Sequence, residues 1–235
     1  MEQVSGLPEF VGSTVFDTIG LVIPGADSQL LGRMGLPETY GALGLISSRT
    51  GASGQITAAD DAVKSTNTEL LTVELPRDTK GAGGHGCYVV IGGQDVADVR
   101  RAVELTLELT ARNAGGIYVC DAGHLEFAFS ARAGQVLHRV FGIPEGQAFG
   151  FMAGCPAAIG MVMADRAVKA AEVTLTRYLT PDHGTSHTNE VILVFTGDTS
   201  AVETALHAGR AAGLALLRAM GQQPRTMTAP LWEEL

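Results

Sequence analysis

Ala59-Asp60-Asp61-Ala62-Val63-Lys64 returns as Ala164-Asp165-Arg166-Ala167-Val168-Lys169, about half the chain later. The surroundings repeat too. A Gly-apolar run precedes each copy, Leu43-Gly44-Leu45-Ile46 in the first and Phe149-Gly150-Phe151-Met152 in the second. After each copy come a β-rich run, a polar loop, another β-rich run and a long helical pattern. A unit of roughly a hundred residues is too long for a solenoid repeat, so the pattern predicts two copies of one small domain. The expected boundary puts the first at 1–113 and the second, with a short C-terminal tail, at 114–235. Two fused copies present quasi-equivalent surfaces, yet can carry different residues at matching positions.

Local patterning fills in each copy. In the first, 15–23 predicts a strand ending at Pro24-Gly25, 26–34 a short helix stopped by Gly35, and 42–47 a strand. Residues 56–66 predict a helix with Ala59, Ala62 and Val63 on one face. A strand over 69–75, a Gly-rich loop over 76–86, a strand over 87–91 and a helix over 95–111 follow, with Asp95 as N-cap. The second copy predicts strands at 121–129, 148–153, 173–179 and 191–196, and helices at 131–141, 158–171 and 199–220. Its loop at 180–190 matches the loop at 76–86. The expected architecture is α+β: two tandem ferredoxin-like domains, each a mixed β-sheet with flanking helices.

Composition narrows the function classes. The net charge is −9, which argues against a nucleic-acid binder. Only 17% of residues are charged, which fits either extensive partner contacts or a large core. No apolar run reaches the roughly 20 residues of a membrane span. The start lacks the basic and apolar regions of a signal peptide, so a cytoplasmic protein is expected. Cys87, Cys120 and Cys155 are far apart and form no CxxC, which predicts reduced thiols and no metal site.

Candidate chemistry is thin. Gly81-Ala82-Gly83-Gly84-His85-Gly86 has the spacing of a dinucleotide fingerprint, but it runs into a strand, not a helix, so it predicts no cofactor. His183 and His187 are four apart in a loop, where helical metal-ligand spacing has no meaning. Ser186 beside His187, near Asp182 and Glu190, would be a nucleophile pair only with an orienting carboxylate. No catalytic residue is expected. His124 and Glu126 share one face of a strand, and Asp121 does not. They read either as a solvated strand end or as a ligand contact between the domains.

Ala42-Leu43-Gly44-Leu45-Ile46, followed by Ala58-Ala59-Asp60-Asp61-Ala62-Val63-Lys64-Ser65-Thr66-Asn67, resembles the BMC domain of bacterial microcompartment shell proteins. The β-α unit ahead of each match resembles the circularly permuted form, fused in tandem as in the trimeric propanediol- and ethanol-utilisation types. Phe10-Val11-Gly12, Thr18-Ile19-Gly20-Leu21-Val22-Ile23 and His183-Gly184-Thr185-Ser186 carry the likeness further, and it runs from about Glu9 to Gly221.

The resemblance implies a homotrimer acting as a pseudohexamer. Such a tile lies beside hexameric shell proteins and pentameric vertex proteins around encapsulated enzymes. It implies lateral-edge roles for Lys64, Asn67 and Lys169. It also implies that the two polar loops line passages for small polar metabolites. The loop residues concerned are Arg77, Asp78, Lys80 and His85, with Asp182, His183, Ser186, His187, Asn189 and Glu190. It implies no cofactor, no metal, no nucleic acid and no membrane partner. The other reading is a small-molecule-binding regulator of ferredoxin-like fold without catalysis.

Overall fold

The computed structural model describes residues 9–78, 84–113 and 115–227. The first half runs β1 (Glu9–Thr14), β2 (Thr18–Pro24), α1 (Ser28–Arg33), β3 (Ala42–Ser48), α2 (Ser53–Lys64), β4 (Glu69–Glu74), β5 (Cys87–Gly93) and α3 (Val96–Asn113). The second repeats the plan: β6 (Ile117–Cys120), β7 (Gly123–Ser130), α4 (Gln135–Phe141), β8 (Ala148–Cys155), α5 (Ala157–Ala170), β9 (Thr174–Leu179), β10 (Val191–Gly197) and α6 (Thr199–Ala219). A two-residue β11 (Arg225–Thr226) pairs with β6.

The strand orders are β1-β2-β3-β5-β4 and β11-β6-β7-β8-β10-β9. The expected α+β plan of two sheets with helices is present. Strand direction is the point of difference. A mixed sheet was expected from the helical crossover between β3 and β4, but every ladder among the described strands is antiparallel. The crossover leaves a gap of one strand, and β5 turns back into it. The parallel pair therefore never touches. Each half also opens with a hairpin where one strand was expected.

The helices divide by sheet face. In the first half α2 and α3 cover the face of Ile46, Val89 and Ile91. Glycine makes this close: a Cβ at Gly20 or Gly44 would lie 2.6 or 2.7 Å from a methyl of Val103 on α3. Leu31 of α1 packs on the opposite face with Leu43, Leu71 and Val90. Correspondingly, α5 and α6 cover Phe127, Met152, Leu193 and Phe195. Phe141 of α4 stacks on Phe149 and touches Phe151 across the other face. The apolar centre of that last face is buried. It packs against α2, so Ile56, Ala59 and Val63 share one apolar cluster with Phe141, Phe151 and Val194. One core thus runs through both halves.

Candidate functional site

The junction between the halves is built from two helix starts. A helix N-terminus leaves unpaired N–H groups that a carboxylate satisfies well. No side chain of its own caps α2. Glu126, on β7 of the other half, accepts from the backbone N–H groups of Ala52 (3.1 Å) and Ser53 (2.9 Å) and from the Ser53 hydroxyl. The reverse holds at α4, whose N-cap is Gly134. There Asp60, buried on α2, accepts from the N–H groups of Gly134 (2.7 Å), Val136 (2.9 Å) and Leu137 (3.3 Å). Each half therefore caps a helix of the other.

Beside Glu126 lies a buried charged cluster. His85 Nδ1 is 2.8 Å from Glu190, and its Nε2 is 3.4 Å from Glu126. His124 Nε2 is 3.1 Å from the other oxygen of Glu190, and Thr188 donates its hydroxyl to Glu190. Burial alone would lower the pKa of His85, but the carboxylates of Glu126 and Glu190 outweigh it and raise it to about 10. At His124 the same opposition, with Cys155 and Glu190 as partners, ends at about 9. Burial pushes the Glu190 carboxyl up, yet the two imidazoles bring it down to about 2. Two imidazolium and two carboxylate groups thus neutralise one another out of water, the condition under which buried charge is tolerated. His124 and Glu126 form part of an interdomain contact, not a solvated strand end.

The expected loop residues divide. Arg77, Asp182, His183, Ser186, His187 and Asn189 are exposed, Asp78 is half-buried, and His85 and Glu190 are inside the cluster. Lys80 lies outside the described residues. Asp78 holds the Arg49 guanidinium through two hydrogen bonds, at 2.7 and 2.9 Å. Asn189 accepts from the N–H of Ala157 at the start of α5. Ser186 does not pair with His187: its hydroxyl donates to the Leu75 carbonyl of the other half (3.2 Å). His187 faces Asp182 at 3.7 Å in the open. The nucleophile–base geometry is therefore not formed. Nor do the described residues contain three His, Cys, Asp or Glu side chains placed to hold a metal ion.

The two loops do converge. Between them a recess of about 390 Å³ is lined by Glu74, Leu75, Phe141, Arg177, Leu179 and Ser186, drawn from both halves. The two lysines expected at the lateral edge differ from each other. Lys64 Nζ is held by Asp60 (2.8 Å), Asp61 (3.2 Å) and the Arg132 carbonyl (2.8 Å). Lys169 is well exposed and pairs with Asp165. Asn67 is exposed at the turn after α2. Sequence reasoning missed Asp60 and Thr188. Asp60 was visible as an acidic residue inside the repeated motif, but its partners lie more than seventy residues away.

Comparison with known proteins fits this geometry. The BMC domain model matches residues 42–121 and 148–225. Each match begins at the third strand of its half, as a permuted order of elements requires. The bacterial microcompartment shell protein PduB of Limosilactobacillus reuteri is 49% identical over 225 residues, covering 95% of this chain and 94% of that one. The crystal structure of EtuB from Clostridium kluyveri superposes with a TM-score of 0.91 at 51% identity, covering 94% and 97% of the two chains. That of a trimeric bacterial microcompartment shell protein PduB gives 0.89 at 48% identity, covering 95% and 99%. With two permuted domains joined through mutual helix caps, and relatives of this closeness over nearly the full length, the chain belongs to the BMC-domain family of bacterial microcompartment shell proteins.

Proposed function

We propose that this chain is a structural shell tile of a bacterial microcompartment. Its two domains, taken as 1–113 and 114–235, form one third of a closed ring of six, so that the working unit is a homotrimer. The observation that carries the reading is the junction within the chain. There unlike faces of two like domains already meet head to tail, the kind of contact that a closed ring repeats. A solved relative of similar sequence is described as trimeric. No described helix is long and apolar enough to cross a membrane.

The tile lies in the compartment shell, inside the cell. Its neighbours are hexameric shell proteins edge to edge, with pentameric proteins at the vertices and enzymes within. Lys64, Asn67 and Lys169 serve the lateral edge. The recess between the loops is the route for a small polar metabolite. Glu74, Arg177 and Ser186 offer hydrogen bonds there that replace water as the molecule passes. An aldehyde gains less from such a lining than its alcohol. The regulator reading loses its ground, because the close relatives are shell proteins.

Co-expression with hexameric shell proteins tests the proposal. Electron microscopy should show sheets or closed shells that contain the chain. Isolated particles that never join such sheets would overturn it.

A further inference from the structure

The three thiols of the chain sit in unlike surroundings. Cys87 is fully buried, and burial pushes its thiol up, toward the inert neutral form. Cys120 is half-buried and donates to the uncharged Gly123 carbonyl (3.5 Å). Cys155 is also half-buried, but it stands directly opposite His124 on the neighbouring strand, β8 against β7. Both side chains therefore rise from one face of the sheet, within reach of each other. The His124 imidazole, only 6% exposed, is hydrogen-bonded both to the Cys155 thiol and, at 3.1 Å, to the Glu190 carboxylate. Thiol, imidazole and carboxylate thus follow in the order of an activated nucleophile, its proton partner and the group that orients it. Cys155 also comes two residues ahead of α5, whose N-cap Pro156 brings no side-chain acceptor to the positive end of the helix.

The repeat shows that the fold does not require a thiol here. Ile19 pairs with Ser47 on β3 as Glu126 pairs with Ala153 on β8, so His124 and Cys155 match Asp17 and Arg49 of the first half. There the two positions carry opposite charges: Arg49, paired first with Asp78, also feels the Asp17 carboxylate. An imidazolium facing a thiolate is the same pair with the signs exchanged.

We propose that Cys155 is a site of reversible oxidation by small hydroperoxides, with His124 as its proton donor and Glu190 as the residue that positions the ring. An imidazolium beside a thiol favours the thiolate, the form that attacks. The Cys155 sulfur attacks one peroxide oxygen, and the S–O bond forms as the O–O bond breaks. The sulfur is oxidised by two electrons to a sulfenic acid. The departing hydroxide takes the proton from His124 and leaves as water. A hydroperoxide is the class for which this arrangement matters most, because its leaving oxygen needs a proton and the half-buried thiol admits a small reagent. The inference does not depend on the ring.

The purified chain, treated briefly with hydrogen peroxide near pH 7 in the presence of dimedone, tests it by peptide mass spectrometry. Dimedone should label Cys155 at least about tenfold faster than Cys120, and Cys155→Ser should remove that adduct alone. His124→Gln, checked for folding by circular dichroism, should slow labelling at Cys155 by about tenfold and leave Cys120 unchanged. Should that variant fail to fold, unfolding the wild type in guanidinium takes its place, and the two thiols should then label alike. Labelling at Cys155 no faster than at Cys120, or a fast rate that survives His124→Gln or unfolding, overturns the proposal.

Discussion

Glu190 is the residue on which the buried cluster turns, because among the described residues it alone touches both imidazoles at hydrogen-bonding distance. Glu190→Gln leaves His85 and His124 short of a carboxylate in a dry site. Removing one partner from such a group costs about 3–5 kcal/mol, which denaturant unfolding of the variant should show. The pH dependence has a definite sign. The pKa values of His85 and His124 are raised on folding, to about 10 and about 9. Their contribution is complete below the ordinary imidazole value of about 6.5 and is lost as pH rises through the folded values. The melting temperature should therefore fall between about pH 6.5 and 10, and His85→Gln should flatten that fall. Identical profiles for the two proteins would contradict the cluster. Glu190 acts in the opposite window: held near 2, it loses its contribution as pH falls from about 4.3 toward that value. Some of this was legible. Strand alternation put His124 and Glu126 on one face. Their partners were not legible, because His85 and Glu190 come from loops more than a hundred residues apart and only the folded junction joins them.

At the scale of elements, the repeated motif places an aspartate at 60 and at 165, and the two should behave differently. Asp60 holds three N–H groups of α4 and the Lys64 ammonium. Asp60→Ala should cost about 2 kcal/mol through the lost cap alone. Asp165→Ala removes an exposed ion pair with Lys169 and should stay within about 0.5 kcal/mol of wild type. Thermal unfolding at one chain concentration compares them, and equal losses would contradict the capping account. Helix positions were legible to within a few residues, because apolar spacing and terminal glycines mark them. The opening hairpin was not. Its turn, at Phe16 and Asp17, takes left-handed backbone angles of φ 64° and 54° without glycine or asparagine, so no turn signal separated β1 from β2. Sheet direction failed for another reason. Connectivity implies parallel strands unless a later strand fills the gap, and nothing local in β5 says where it inserts.

For the whole molecule, the proposed lateral packing and the proposed ring closure are separable. Lys64→Ala together with Lys169→Ala should leave the ring intact but abolish sheet formation with hexameric partners. Unaltered sheets in electron micrographs would remove those lysines from the edge role. Alcohol should cross the assembled shell faster than the matching aldehyde, and equal permeability would contradict the proposed polar route. The two-domain plan was legible because the chain repeats itself, and the junction was not, because its chemistry lies where the copies differ. The most direct test of the account is the mass of the purified chain by sedimentation equilibrium. A particle of three chains is predicted across the concentration range. A stable particle of one chain, with no larger species at any concentration, would contradict it.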